Sequence, residues 1–148
     1  MPSIPVSQLI PVLQVAIGPV ILVSGISLLL LTLTNRFGRA IDRSRQLGRE
    51  LREGTEAERR RLEGQVAILY LRARVIRLSI IMAALSVLLA SVFIIVLFVA
   101  ALMKLEVGFI ITVLFILCLV SLVVSLVGFI RDIQLSLQAL KLELASGG

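Results

Sequence analysis

The sequence predicts an all-α membrane protein with three transmembrane helices, a cytoplasmic helical hairpin between the first and second of them, and a helical C-terminal tail. Hydrophobic residues make up 59% of the 148 residues and charged residues only 16%, with a mean hydropathy of +1.10. That is more apolar surface than a soluble fold of this length can bury. Twelve of the 15 Lys and Arg residues and six of the nine Asp and Glu residues lie in residues 35–77, so this segment carries the whole net charge of +6.

Three apolar stretches are long enough to cross a bilayer. Residues 1–34 hold an N-terminal segment and the first transmembrane helix; they contain no charged side chain, so we expect a retained span rather than a secretory signal with its basic start. The second transmembrane helix is predicted at residues 78–103 and the third at 107–130, about 39 and 36 Å long as helices. Only Lys104-Leu105-Glu106 separates them, which predicts an antiparallel helical hairpin.

Prolines leave two structures open for the first span. Pro11 and Pro19 each remove a helical hydrogen bond. One structure is a kinked helix over residues 9–34, about 39 Å long, which crosses a hydrocarbon core of ~30 Å with some tilt. The other is an interfacial segment over residues 6–17 followed by a span over 20–34, only about 22 Å long. The lengths favour the kinked helix.

The basic segment, residues 35–77, is predicted to be a cytoplasmic helical hairpin. Gly54-Thr55 is its single break, and Thr55 with Glu58 three residues later forms a capping box that starts a helix. Apolar residues recur on both sides of the break, which predicts that two helices face each other as in a coiled coil. The stripe before the break is Phe37, Ile41, Leu47 and Leu51, and the stripe after it is Leu62, Val66, Leu69, Ala73 and Ile76.

The tail, residues 131–148, is predicted to be an amphipathic helix. Its apolar stripe is Ile130, Ile133, Leu137, Leu140 and Leu144. Such a helix can pack beside the hairpin or lie on the membrane surface. Because its charges balance and it lacks a basic face, packing beside the hairpin is favoured.

The basic segment also predicts the orientation. Lys and Arg near the ends of spans are retained on the cytoplasmic side, and this rule applies to loops shorter than about 60 residues. We therefore expect a multi-pass protein of the plasma membrane with its N-terminus outside and both residues 35–77 and the C-terminus in the cytoplasm.

The residue types argue against catalysis. The chain has no histidine, a single cysteine, Cys118, and no charged residue within any predicted span. General acid–base catalysis, metal binding and proton-coupled transport all depend on such side chains. We therefore expect a protein that is not an enzyme and that has no metal or cofactor.

Small residues in the spans predict close helix packing, within one subunit or between identical subunits. The candidate packing residues are Ser24, Gly25, Ser86, Ser121, Ser125 and Gly128. The alternative is a hydroxyl-lined pore, which would require a homo-oligomer because three spans are too few to enclose a water path.

Charged residues beside the spans are the candidate contacts with lipid or with a protein partner of unknown identity. They are Arg36, Arg39, Asp42, Arg43, Arg72, Arg74 and Arg77. Their simplest role is to anchor the spans by the positive-inside rule, and anionic headgroups are the functional alternative. We expect Asp42 to pair with neighbouring arginines. Nucleic acid is not expected, because only Phe37 and Tyr70 are available to stack on bases.

The first span and the start of the basic segment contain four short motifs: Pro19-Val-Ile-Leu-Val-Ser24-Gly25, Leu28 to Leu31, Thr34-Asn35-Arg36, and Arg39-Ala-Ile-Asp42-Arg43-Ser-Arg45. These motifs resemble an uncharacterised family of small three-span bacterial membrane proteins, a domain of unknown function found in proteobacteria and cyanobacteria. The resemblance extends over nearly the whole chain and implies a bacterial integral membrane protein, without implying any activity. The expected role is a structural or regulatory scaffold or accessory subunit that self-associates or binds a partner; the alternative is a homo-oligomeric ion channel with a basic cytoplasmic vestibule.

Overall fold

A computed structural model describes the backbone of residues 6–145. It does not describe the side chains of Gln8, Ala57, Glu58, Arg61 and Ala139 or those of residues 142–145. The described chain consists of three α-helices: α1, Val6–Glu53; α2, Glu56–Met103; and α3, Gly108–Ala145. All three are long and apolar enough to cross a membrane. The predicted all-helical fold with three candidate spans is therefore confirmed, and its architecture is that of a multi-pass membrane protein.

The first helix passes through both prolines without a break. Pro11 and Pro19 lie inside α1, which continues from Val6 to Glu53. Each proline removes one backbone hydrogen bond, whereas ending a helix within lipid would leave several backbone groups without partners. The first span is thus part of one helix, and a separate interfacial segment over residues 6–17 is not formed.

The break between α1 and α2 falls at Gly54-Thr55. The Gly54 amide donates to the carbonyl of Glu50 at 2.9 Å, and the Arg59 amide donates to the carbonyl of Thr55 at 3.0 Å. Because its carbonyl accepts the first hydrogen bond of α2, Thr55 is the N-cap residue of that helix. The Glu58 side chain, the other half of the predicted capping box, lies outside the described residues.

The connection between α2 and α3 is closed by a C-cap. Lys104 has a φ of 52°, and the Leu105 amide donates to the carbonyl of Ala100 at 3.1 Å. This is the Schellman arrangement, in which a residue in the left-handed conformation follows the helix. Because lysine carries a Cβ, this conformation costs roughly 1–2 kcal/mol. The four-residue link, residues 104–107, allows few other ways to reverse the chain.

The chain divides into two compact units. Unit 1 comprises the described residues up to Leu30 together with Met82–Val123, and unit 2 comprises Leu31–Ile81 with the chain from Val124 onward. Each helix continues from one unit into the other, and each unit contains part of all three helices.

Each helix buries one narrow face. From Pro19 to Leu47 the buried residues of α1 recur every seven residues, and from Ile76 to Phe93 those of α2 alternate between spacings of three and four, the periodicity of helices that pack side by side. On α1 they are Pro19 and Ile26 in unit 1 and Leu33, Ala40 and Leu47 in unit 2. On α2 they are Ile76 and Ser79 in unit 2 and Ala83, Ser86, Ala90 and Phe93 in unit 1.

The tail of α3 faces the other helices with a different side from the one predicted. Ile130, Leu137 and Leu140 are each more than half exposed, and Ile133 is half-buried. Asp132, which does not belong to the predicted apolar stripe, has no exposed surface at all. The expectation that the apolar stripe packs against the hairpin is therefore wrong for Ile130, Leu137 and Leu140, because a buried carboxylate fixes the rotation of the helix. The side chain of Leu144 lies outside the described residues.

Candidate functional site

In unit 1, α2 and α3 are joined by a reciprocal pair of hydrogen bonds. The Ser86 hydroxyl donates to the carbonyl of Cys118 at 2.9 Å, and the Cys118 thiol donates to the carbonyl of Ser86 at 3.3 Å. Both side chains are buried. Such contacts form only where small residues allow two backbones to approach closely.

In unit 2, the same two helices approach at Ser79. The Ser125 hydroxyl donates to the Ser79 carbonyl at 2.8 Å, and the Ser79 hydroxyl donates to the carbonyl of Val75 at 3.0 Å. A Cβ added at Gly128 would collide with the Ser79 hydroxyl oxygen and lie 3.3 Å from its Cβ. Gly128 thus leaves the space that Ser79 occupies. Ser121 is buried on the same face of α3.

Two predicted packing residues lie elsewhere. Ser24 is exposed on α1, and its hydroxyl donates to the carbonyl of Val20 at 3.2 Å. A Cβ added at Gly25 would meet nothing within 4 Å. Within one chain, neither residue supports a contact between helices.

Unit 2 also contains a buried ionic cluster to which all three helices contribute. Asp132 of α3 has no exposed surface; its Oδ2 accepts a hydrogen bond from Nη1 of Arg36 at 2.8 Å, and its Oδ1 accepts one from Nε of Arg72 at 3.3 Å. Arg36 belongs to α1 and Arg72 to α2. The guanidinium carbon of Arg36 also lies 5.2 Å from the centre of the Phe129 ring, a cation–π contact. We call Arg36, Arg72 and Asp132 the Asp132 cluster.

The other predicted charged residues do not join this cluster. They are Arg39, Asp42, Arg43, Arg74 and Arg77, all exposed. Among the described residues, the only ion pairs are the two that Asp132 makes. The expectation that Asp42 pairs with neighbouring arginines is therefore wrong. Asp42 lies two residues beyond the buried Ala40 and so points away from the other helices.

The spacing of residues on α3 contained a signal for Asp132. The small residues of the third span run Cys118, Ser121, Ser125 and Gly128 at spacings of three, four and three. The next step of four is Asp132, so the carboxylate continues the same helical face. Sequence reasoning missed it because neighbouring charged residues suggested a solvated surface.

The comparisons with known proteins identify the family. A family model described as a protein of unknown function, DUF2721, matches residues 16–142. The chain belongs to this family. No curated protein and no solved structure matches the chain. The DUF2721 match includes all three members of the Asp132 cluster and agrees with the resemblance drawn from the motifs in the first span and the basic segment.

In this DUF2721 protein the burial of Asp132 carries a large desolvation cost. Removing a carboxylate from water costs several kcal/mol, which is recovered only through good geometry and full hydrogen bonding. Here both carboxylate oxygens are engaged, and the side chains of Arg36 and Arg72 are 27% and 20% exposed, so the arginines keep part of their hydration. The cluster ties α1, α2 and α3 at one point.

An open apolar cleft of about 540 Å³ lies within unit 1. Its walls include Pro19 of α1, Phe93 of α2 and Phe115 of α3, and the two aromatic rings lie 5.6 Å apart. Pro19 has no amide hydrogen, so the carbonyl of Val15, which also lines the cleft, lacks its usual helical donor. In the described part of the chain no group of three His, Cys, Asp or Glu side chains could hold a metal ion.

Replacing Asp132 with Asn should destabilise the protein by about 3 kcal/mol, because two half-buried arginines lose their shared counter-charge. The same replacement at exposed Asp42 is the matched control and should change stability by less than about 0.5 kcal/mol. Denaturant unfolding in mixed detergent micelles measures both. Equal effects at the two positions would contradict the assignment of the cluster as a structural tie.

Replacing Gly128 with Ala should destabilise the protein by about 1–3 kcal/mol, because the new methyl group overlaps the Ser79 hydroxyl. Adding Ser79→Ala removes that hydroxyl and should recover most of the loss. Gly25→Ala, which introduces the same methyl group into open space, is the control and should leave the free energy of unfolding unchanged or slightly higher. If Gly128→Ala behaves like Gly25→Ala, α2 and α3 are farther apart than described.

Proposed function

We propose that this protein is a membrane scaffold or accessory subunit that self-associates, rather than an enzyme. What supports this role is the use of its buried polar groups. Ser86, Cys118, Ser125 and Asp132 all form hydrogen bonds to another helix of the same chain. In lipid, such contacts and close packing replace the hydrophobic effect as the forces between helices. The interior therefore serves to hold three helices in place, and the outer surface is left for partners.

The α1 face around Gly25 is the proposed surface for self-association. Ser24 and Gly25 are exposed in unit 1, with open space beside the glycine. Small residues on a lipid-facing surface let a second helix approach closely enough for extensive van der Waals contact. A second copy of the chain would cover them with its own α1.

The buried serines give no support to the channel hypothesis. Ser86 and Ser125 are fully buried and donate their hydroxyl hydrogens to carbonyls of the neighbouring helix. A hydroxyl that lines a water path must instead be accessible to that path. These residues are therefore better explained as packing residues within one subunit.

The proposed location is the plasma membrane of a bacterium, with the N-terminus outside and the basic segment in the cytoplasm. Exposed arginines on both α1 and α2 support it, because cations that face water near span ends are retained on the cytoplasmic side. They include Arg39, Arg43, Arg74 and Arg77.

Replacing Gly25 with Leu should weaken self-association by about tenfold, because a bulky side chain separates the two backbones. Native mass spectrometry from mild detergent measures the ratio of oligomer to monomer. Ala84→Leu, at an exposed small residue of α2 in the same unit, is the control and should preserve the oligomer. A wild-type protein that is monomeric would overturn the proposal, as would ion flux through reconstituted liposomes that bulky substitutions at Ser121 or Ser125 abolish.

Cysteine labelling should report the orientation. A membrane-impermeant maleimide applied to intact cells should label Glu106→Cys and leave Gly54→Cys unlabelled until the cells are opened. The native Cys118 is buried and should give little background, which the unmodified chain measures directly. Labelling of Gly54→Cys in intact cells would place the basic segment outside.

A further inference from the structure

The two arginines of the Asp132 cluster use only part of their hydrogen-bonding capacity. A guanidinium carries five N–H donors, and Asp132 accepts from Nη1 of Arg36 and from Nε of Arg72. Among the described residues, every buried side-chain nitrogen and oxygen has a hydrogen-bond partner. The remaining guanidinium nitrogens of these half-buried side chains therefore lie at the surface, where an acceptor from outside the protein can reach them.

The cluster is also unbalanced in charge. Two cations share one carboxylate, which leaves an excess of one positive charge beside a buried group. Asp42, a carboxylate of the basic segment, is exposed and forms no ion pair among the described residues. A partly dehydrated cation attracts an anion more strongly than one surrounded by water.

Both guanidinium groups are held in place before any ligand arrives. The buried carboxylate fixes one edge of each, and the Phe129 ring lies 5.2 Å from the guanidinium carbon of Arg36. An exposed arginine loses side-chain freedom when it binds, whereas these two have already lost it on folding, so binding costs less entropy. They differ in this respect from Arg39 and Arg74, which are exposed and form no ion pair among the described residues.

The neighbouring residues of unit 2 place these donors where apolar and basic surfaces meet. Leu31, Leu78 and Ile130 are 60%, 56% and 54% exposed, and they belong to the apolar ends of the three helices in this unit. Exposed basic residues lie close to the donors, Arg39 three residues after Arg36 on α1 and Arg74 two residues after Arg72 on α2. A phospholipid presents its phosphate at such a boundary, with acyl chains against the apolar residues.

We propose that Arg36 and Arg72, oriented by Asp132, bind the phosphate group of an anionic phospholipid. The planar fork of a guanidinium matches two oxygens of a phosphate, which an ammonium group does not. The inference rests on the proposed membrane location but not on self-association. Loss of lipid binding in a protein that still forms oligomers would therefore overturn this site alone.

The test compares two double variants that preserve charge. Arg36→Lys/Arg72→Lys keeps both cations near Asp132 and removes both forks, and Arg39→Lys/Arg74→Lys makes the same change at exposed arginines of α1 and α2. Each protein is reconstituted with equimolar phosphatidylcholine and phosphatidylglycerol, extracted mildly, and its retained lipids are measured by native mass spectrometry.

The wild-type protein should retain phosphatidylglycerol in preference to phosphatidylcholine. Arg36→Lys/Arg72→Lys should lower that preference by about tenfold, and Arg39→Lys/Arg74→Lys should leave it unchanged. Equal retention by all three proteins would mean that surface charge alone attracts the lipid, and it would overturn the site. Displacement of the lipid by inorganic phosphate would assign the site to soluble phosphate and overturn the lipid assignment.

A second measurement needs no variant, in case the lysine substitutions impair folding. Phenylglyoxal modifies accessible arginines, and mass spectrometry of the digested protein locates the modified residues. Phosphatidylglycerol, compared with phosphatidylcholine alone, should protect Arg36 and Arg72 more than Arg39 and Arg74. Uniform protection of all four arginines would overturn the proposal.

Discussion

A carboxylate that does not contact water must have its negative charge balanced by cations of the protein, and this requirement determines how the helices of unit 2 pack. Asp132 on α3 can be buried only if a cation from another element reaches each side of it. Arg36 comes from α1 and Arg72 from α2, so one buried charge requires all three helices to meet. The position of the cluster along the chain follows from the same requirement, because charged side chains are costly within the hydrocarbon and affordable at its edge.

The rest of the interior uses weaker contacts suited to lipid. Lipid tails are as apolar as leucine, so burying apolar surface between helices gives little driving force within a bilayer. The chain relies instead on small residues and on hydrogen bonds between helices, at Ser86 and Cys118 in unit 1 and at Ser79 and Ser125 in unit 2. Large apolar residues such as Leu28 and Leu88 remain exposed, as expected when the surrounding solvent is hydrocarbon.

The buried polar side chains and the half-buried arginines of this protein differ in what remains available for function. Buried polar groups often mark catalytic or transport sites, but here the side chains of Ser86, Ser125 and Asp132 form hydrogen bonds to neighbouring helices. The half-buried Arg36 and Arg72 differ, because each donates one hydrogen bond to Asp132 and still has other N–H donors at the surface. A structural tie and a headgroup site can therefore share the same two side chains without competing for the same atoms.

The helical class, the three candidate spans, the break at Gly54-Thr55 and the reversal at Lys104 could all be predicted from the amino-acid sequence, because they depend on hydropathy, length and local breakers. The sequence also indicated that Ser86, Ser125 and Gly128 lie on packing faces. It did not reveal which helix each face meets or which charges pair. Asp42 has arginines near it in sequence and stays exposed, whereas Asp132 is 96 residues from Arg36 and lies against it. Pairing between distant helices depends on how each is rotated about its axis, and that rotation is fixed only when all three pack together.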